Sequence, residues 1–167
     1  MSLRPRRQPA VPAVAAAVAA AAADRSMLIT VVDGGDLTPV AEAVCAAVQA
    51  GDCVYLEGPI GAGKTTLVQA CGRMLGVSEP VTSPTFALAH LYEGTPPVAH
   101  LDLYRLGEVA GRDTADLLSY LTEDVIGFVE WPEYGVGWLP AATYLVRIGF
   151  DDDGTRQFGI SPAASRL

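Results

Sequence analysis

The residues best suited to chemistry form a glycine-rich segment that follows a short apolar run. The segment Gly58-Pro59-Ile60-Gly61-Ala62-Gly63-Lys64-Thr65 fits the pattern G-x-x-x-x-G-K-[ST] at every fixed position. In such a loop, glycines let successive backbone N–H groups point at one phosphate, and the following helix adds its positive dipole end. Lys64, the only lysine of the chain, would reach the outer phosphates, and the Thr65 hydroxyl can ligate Mg²⁺. The pattern therefore predicts a nucleotide phosphate site, with a glycine turn carrying a surface lysine as the alternative.

Two carboxylates lie at or near the ends of apolar runs that are typical of strands. Glu130 ends the continuous run Val125–Val129, a pattern that favours a central buried strand, and Asp102 lies near the end of Val98–Tyr104. A phosphate loop needs acids at neighbouring strand ends to hold Mg²⁺ and to place a water or an acceptor. Glu130 has the position and context of a Walker B acid, and Asp102 is the second candidate. Either could instead be a solvent-facing strand residue.

The two histidines and two of the arginines are weaker candidates. His90 and His100 both fall in predicted strands, where a structural role is commoner than catalysis. His100 is two residues from Asp102, so the two side chains would share one face of a strand. Arg105 or Arg156 could supply a charge-stabilising guanidinium, although a surface salt bridge is the commoner role of either.

The elements that must position these residues alternate between strand and helix patterns from Met27 onward. Thr38 has the features of a helix N-cap with Pro39 at the first helical position, and Gly51 should stop that helix. A second helix leaves the phosphate loop and ends at Gly76. The remaining patterns predict a helix at Asp113–Leu121 and strands at Met27–Val32, Cys53–Glu57, Phe86–Tyr92, Val98–Tyr104, Val125–Val129, Tyr144–Phe150 and Thr155–Ile160. The sum is a single α/β domain of the P-loop NTPase type, with a mixed central β-sheet, flanking helices and a C-terminal hairpin.

Length and charge restrict the class of protein. The 167 residues suit one domain with a real core, and the formal net charge is −8. After residue 26 there are 7 basic and 18 acidic residues, a net charge of −11. A body this acidic argues against direct, non-specific binding of nucleic acid, which needs a basic face. A link to nucleic acid would run through a partner protein.

Composition also bears on compartment and on the chain termini. The three cysteines are odd in number, lack CxxC spacing and are expected to be core residues of a cytoplasmic protein, and the sequence predicts no membrane span. Residues 1–26 superficially resemble a secretory signal. We expect instead an Ala/Pro-rich extension that is disordered, or a start codon placed too early with Met27 as the true start. The predicted domain spans residues 27–161, and residues 162–167 form a tail.

Four motifs, taken in order, resemble one family. They are G-x-x-G-A-G-K-T-T (Gly58 to Thr66), S-P-T-F (Ser83 to Phe86), H-x-D-x-Y-R-L (His100 to Leu106) and V-E-W-P-E (Val129 to Glu133). In order and spacing the set is similar to TsaE, also called YjeE, over roughly residues 30–160. The resemblance implies the small P-loop ATPase of bacterial tRNA threonylcarbamoyladenosine synthesis. It also implies that ATP hydrolysis supports turnover of the TsaD–TsaB pair, while TsaD performs the transfer and tRNA is reached through the complex.

The resemblance also implies roles for individual residues. Thr65 and Glu130 would hold Mg²⁺, Asp102 would aid hydrolysis through a water or near the metal, and Lys64 completes the catalytic set. Trp131 matches a site tryptophan, with core packing as the alternative, and Arg156 roughly matches an arginine near the nucleotide. The residues expected to bind ATP are Gly58, Gly61, Ala62, Gly63, Lys64, Thr65, Thr66, Trp131 and Arg156. Two departures are the N-terminal 26 residues and the stretch Gly107–Asp116, which lacks the acidic helix start usual for the family and affects the partner-facing surface.

Two other functions stay open at the level of sequence. A small P-loop kinase has a similar phosphate loop, as in shikimate kinase, but would need clustered arginines for an anionic acceptor. The arginines here are scattered, and a guanine-reading N-K-x-D motif is excluded because it needs a second lysine. A non-hydrolysing module that uses ATP as an assembly ligand is the other alternative.

Overall fold

Seven strands form one mixed sheet in the computed structural model, which describes residues 26–32, 34–84, 87–108 and 114–163. The strands are β1 (Met27–Val31), β2 (Cys53–Glu57), β3 (Ala89–Tyr92), β4 (Val98–Asp102), β5 (Ile126–Glu130), β6 (Tyr144–Phe150) and β7 (Arg156–Pro162). The helices are α1 (Thr38–Ala47), α2 (Lys64–Met74) and the short α3 (Ala115–Leu118), with 3₁₀ turns at Tyr104–Glu108 and Pro132–Gly135. The predicted α/β fold with a mixed sheet and a C-terminal hairpin is confirmed.

The strand order β1-β7-β6-β2-β5-β4-β3 brings four parallel strands to the centre of the sheet. β6, β2, β5 and β4 run in one direction, whereas β1, β7 and β3 pair with their neighbours antiparallel. The carboxyl ends of the four parallel strands therefore meet at one edge of the sheet. Crevices at this edge are the usual ligand sites of open α/β sheets. Glu57, Asp102 and Glu130 all lie there, and the phosphate loop begins directly after Glu57.

Helices α1 and α2 cover one face of the sheet, and the smaller elements cover the other. Under α1 and α2, the core includes Leu56, Phe128 and Phe158, all fully buried. The second core lies on the opposite face and includes Leu101 and Val129, with Leu117 of α3 packed against them. Side chains alternate between these two cores along β4 and β5, as the two-residue period of a strand requires. This alternation decides which residues of each strand can reach the phosphate loop.

Several predicted boundaries differ from the structure. The prediction of Thr38 as N-cap is wrong: Leu37 occupies that position, and the Thr38 N–H and hydroxyl both donate to Oδ1 of Asp36, at 2.9 and 2.7 Å. Helix α1 ends at Ala47, before Gly51. The strand predicted at Val98–Tyr104 ends at Asp102, because a 3₁₀ turn begins at Tyr104.

Other predicted elements occur with different bounds, since α2 ends at Met74 before Gly76, β5 is shifted by one residue to Ile126–Glu130, and β7 extends to Pro162 beyond the predicted Ile160. Strand β3 starts at Ala89 rather than Phe86, and α3 is shorter than the predicted helix. The expectations for residues 1–25 and 164–167 fall outside the described part of the chain. Cys53 and Cys71 are buried as expected, and Cys45 is partly buried. Within the described ranges, no helix has the length and hydrophobicity needed to cross a bilayer.

Candidate active site

The phosphate loop connects β2 to α2 and requires glycine twice, at Gly58 because of a close backbone approach and at Gly63 because of its left-handed backbone. A Cβ on Gly58 would lie 2.8 Å from the carbonyl oxygen of Ile148 on β6. Gly63 adopts a left-handed backbone with φ of +99°, and a Cβ there would lie 2.7 Å from Nη1 of Arg156. Gly63 is also the N-cap of α2 and brings no side chain to bond the first N–H groups of the helix. Those N–H groups are therefore available to an anion in the loop.

Lys64 is the first residue of α2, and its ammonium folds back onto the loop. Nζ donates to the carbonyl oxygens of Gly58 at 2.7 Å and Pro59 at 2.9 Å. It also lies 3.8 Å from the centroid of the Trp131 ring, a cation–π distance. Burial lowers the pKa of Lys64, and the nearby charges, led by Glu130, oppose this shift. The lysine is thus held by the loop carbonyls and the indole in the structure described.

Glu130 is the last residue of β5 and receives two hydrogen bonds on one oxygen. The Thr65 hydroxyl donates to Oε1 at 2.7 Å, and Nε2 of His100 lies 2.8 Å from the same atom. The strand register places Glu130 beside Leu56 on β2 and beside Asp102 on β4. Only 3% of Glu130 is exposed. The loop threonine and the strand carboxylate therefore meet at one point.

Asp102 ends β4 and is oriented by donors on both oxygens. Oδ1 accepts from the backbone N–H of Tyr104, and Oδ2 accepts from the Ser83 hydroxyl, each at 3.2 Å. Asp102 is partly exposed and lines the cleft beside Lys64. Ser83 belongs to the S-P-T-F motif, so this motif has a contact to the site through its first residue. The carboxylate is held in place while part of it still faces solvent.

Residues 33–158 match the family described as threonylcarbamoyl adenosine biosynthesis protein TsaE. The chain belongs to the TsaE family. A tRNA threonylcarbamoyladenosine biosynthesis protein TsaE from a Nostoc species is 43% identical over 118 residues, which cover 68% of this chain and 72% of that protein. The protein of the same name from Streptomyces coelicolor is 46% identical over 104 residues, covering 60% of this chain and 70% of its own. The protein of the same name from Mycobacterium tuberculosis is 44% identical over 96 residues, which cover 50% of this chain and 55% of that protein.

A solved structure supports the same assignment. The crystal structure of Bacillus subtilis YdiB superposes with a TM-score of 0.67 and 25% sequence identity, covering 84% of this chain and 88% of that one. The predicted family and a role in threonylcarbamoyladenosine modification of tRNA are confirmed.

The TsaE motif V-E-W-P-E contains a residue with unusual backbone geometry. Trp131 adopts φ of 58° and ψ of 51°, the left-handed region that bulky residues seldom occupy. Such a residue costs about 1–3 kcal/mol, and strain of this kind clusters at functional sites. The conformation places the indole over Nζ of Lys64 and 5.0 Å from the Tyr104 ring, while the side chain also packs against the second core. The indole therefore lines the cleft and packs against the second core at the same time, and its expected role in binding the nucleotide stays a prediction.

Arg156, the expected TsaE arginine, lies behind the loop rather than in the cleft. As the first residue of β7, it reaches the carbonyl oxygens of Ala62 with Nη1 and of Gly35 with Nη2, both at 3.5 Å. These contacts join the C-terminal hairpin to the phosphate loop and to the segment before α1. The other arginine considered, Arg105, is exposed in the 3₁₀ turn after β4.

The candidate side chains surround an open cleft of about 350 Å³. Its lining comprises Ile60, Gly61, Ala62, Gly63, Lys64, Thr65, Thr66, Asp102, Tyr104, Glu130 and Trp131. Every residue expected to be catalytic lines it, whereas Gly58 and Arg156 support the loop from outside. Sequence reasoning missed the contribution of Tyr104, although it stands in the TsaE motif H-x-D-x-Y-R-L. It also ranked His100 low, although its two-residue spacing from Asp102 was a usable signal.

The donor set near Thr65 suits a hard cation that brings its own oxygen ligands. Thr65 and Glu130 offer a hydroxyl and a carboxylate whose oxygens are 2.7 Å apart. Within the described ranges, no group of three or more His, Cys, Asp or Glu side chains forms a complete metal site. Mg²⁺ commonly binds through one or two protein oxygens, with phosphate and water completing its shell. The residues present therefore fit Mg²⁺ held together with a nucleotide.

Proposed function

We propose that this TsaE-family chain is a Mg²⁺-dependent ATPase that supports the TsaD–TsaB complex in threonylcarbamoyladenosine modification of tRNA. The observation that carries the proposal is the convergence of Lys64 and Thr65, from the phosphate loop, with Asp102 and Glu130, from two parallel strand ends, on one cleft. A phosphate site alone would need only the loop. Two oriented carboxylates beside the loop are the additional groups that hydrolysis requires.

Each side chain has a task set by its position. The backbone N–H groups of the loop and of the first turn of α2 would bind the phosphates, and Lys64 would exchange its two carbonyl acceptors for outer phosphate oxygens. Mg²⁺, held by Thr65 and Glu130, would supply charge neutralisation on the phosphate oxygens. Asp102, fixed through both oxygens but partly exposed, would orient the attacking water. Trp131 would close one side of the cleft against bulk water.

The partner assignment follows from family and charge. The names of the similar proteins specify threonylcarbamoyladenosine biosynthesis. The residues after position 26 carry a net charge of −11, with 7 basic and 18 acidic residues, which disfavours direct contact with a polyanion. We therefore assign the contact with tRNA, and the transfer itself, to the TsaD–TsaB side of the complex. The hydrolysis rate should be low for the isolated chain and higher with the pair.

The experiment is phosphate release measured with and without TsaD and TsaB, on wild type and Asp102→Asn. We expect the variant to lose about 100-fold in rate while its ATP affinity changes little, because it loses a positioning carboxylate rather than a phosphate ligand. Asp152→Asn is the matched control, since it makes the same change in the exposed turn between β6 and β7. Equal rates for Asp102→Asn and wild type would contradict the role of Asp102.

The same assay separates the alternatives. Nucleotide binding without phosphate release under either condition would indicate an assembly module. ATP consumption that needs a small acceptor, and no association with TsaD and TsaB, would indicate a kinase.

A further inference from the structure

His100 is a buried polar side chain at a position flanked by apolar residues. Its exposed fraction is 0%, the lowest of the three buried polar or charged residues in the described part of the chain. It lies in the middle of β4, between Ala99 and Leu101, which are fully buried and apolar. An aliphatic residue would fill such a position without removing polar atoms from water. The imidazole therefore needs an explanation in terms of what it contacts.

That contact is the Glu130 carboxylate. Nε2 of His100 lies 2.8 Å from Oε1 of Glu130, and across the described residues Nδ1 has no hydrogen-bond partner. A carboxylate only accepts, so Nε2 must carry the proton that is shared. Nδ1, without a partner, is then a bare lone pair rather than a buried N–H. The geometry thus assigns the Nε2–H tautomer to the neutral ring.

The register explains why this bond controls the carboxylate. Asp102 pairs with Glu130 across β4 and β5, and His100 is two residues earlier on β4, so all three side chains lie on the face that α2 covers. Oε1 receives the His100 and Thr65 bonds together, whereas no described residue bonds to Oε2. One oxygen is fixed by two donors, and the other is left for the cleft.

We propose that His100 is a positioning residue that fixes the rotation of the Glu130 carboxylate, so that Mg²⁺ strengthens nucleotide binding. This inference rests on the proposed function. It concerns the coupling between metal and nucleotide rather than the affinity for nucleotide alone. Removing a residue that orients a metal ligand typically lowers metal affinity or activity by about 10- to 100-fold.

The test uses His100→Leu, which removes the donor at similar volume, and His100→Gln, which can restore an N–H near the position of Nε2. The matched control is His90→Leu, because His90 is the other histidine and pairs with His100 across β3 and β4. Binding of a fluorescent ADP analogue is measured with and without Mg²⁺. We expect His100→Leu to lose about tenfold or more of the Mg²⁺ enhancement with unchanged Mg²⁺-free binding. His100→Gln should recover most of the loss, and His90→Leu should match wild type.

Two further readouts keep the proposal falsifiable. In steady-state ATPase assays, His100→Leu should lower kcat much more than it changes KM. Long-range ¹⁵N–¹H spectra of the nucleotide-free wild type should place the His100 proton on Nε2. Full Mg²⁺ enhancement in a folded His100→Leu variant, or a wild-type His100 ring whose Nε2 carries no proton, would overturn the proposal. If His100→Leu does not fold, the spectrum decides.

Failure of the proposed function would look different. In that case wild type would bind nucleotide without any Mg²⁺ enhancement or release no phosphate with TsaD and TsaB, whatever the tautomer of His100.

Discussion

Replacing Lys64 with methionine should separate its role in binding from its role in stability. The change keeps the length of the side chain and removes the charge. It deletes two hydrogen bonds from a charged donor, worth about 1.5–3 kcal/mol each, and a cation–π contact worth roughly 0.5–2 kcal/mol. The variant also avoids the cost of removing an ammonium from water, which is on the order of several kcal/mol for a buried ion and acts in the opposite direction. Water can replace the lost donor at Pro59, which is exposed.

These opposing terms nearly cancel, so we expect the free energy of unfolding of Lys64→Met to lie within about 1 kcal/mol of wild type. Nucleotide binding should behave differently, because methionine offers nothing to the outer phosphates. Loss of one charged hydrogen bond corresponds to a roughly tenfold or greater loss of affinity. The assays are urea unfolding and calorimetric titration with ADP and ATP.

The pH dependence adds a second check on the same variant. Burial lowers the pKa of Lys64 below 10.5, so the unfolded chain holds this proton more tightly than the folded one. The free energy of unfolding of wild type should therefore rise, relative to Lys64→Met, as pH increases through the lowered pKa toward 10.5. Arg73→Met is the control, since it removes one positive charge from the exposed last turn of α2. Unfolding that is easier by more than about 3 kcal/mol, or unchanged nucleotide affinity, would refute this reasoning.

Three further predictions concern single side chains. Thr65→Val keeps the shape but removes the hydroxyl at the metal position, so titration should show about tenfold weaker Mg²⁺-dependent nucleotide binding and unchanged Mg²⁺-free binding; equal loss in both would contradict the assignment. Nucleotide should change the emission of Trp131 as the lysine leaves its ring, a change that survives Trp138→Phe and disappears in Trp131→Phe. Burial, aided by the charge of Asp52, raises the pKa of Cys53 to about 12, and the pKa of the buried Cys71 is raised by its contact with Cys45 and by burial. Cys45, which is only partly buried, should therefore react first with iodoacetamide in mass spectrometry.

Short-range patterns made much of the fold predictable from sequence. The strand at Cys53–Glu57 has the predicted bounds, because its apolar run is bordered by glycine on one side and the phosphate loop on the other. Local chemistry was less decisive at Thr38, because its hydroxyl donates to Asp36 instead of accepting an N–H from the first turn, and the helix already begins at this residue. The sequence shows which residues can form hydrogen bonds, but only the three-dimensional structure shows which partner each of them bonds to.

The sequence was sufficient to predict which residues belong to the candidate site, but not which of their side chains contact one another. Lys64, Asp102 and Glu130 were identified from motif and strand position. The bond between His100 and Glu130 depends on the register of β4 against β5, which joins residues 30 positions apart. The left-handed backbone of Trp131 could not be predicted from sequence, because bulky residues seldom adopt that conformation.

The pairing of β1 with β7 has a consequence for how the protein is made. Met27 lies opposite Ile160, and among the described strands β1 has β7 as its neighbour. On a ribosome β1 must therefore wait for β7, the last of the described strands, before the two can pair. β2, which leads into the phosphate loop, has β5 and β6 as neighbours, and both are also synthesised later. Arg156 then contacts the loop only when β7 is present. A nascent chain should bind ATP only after its C-terminal hairpin has left the exit tunnel.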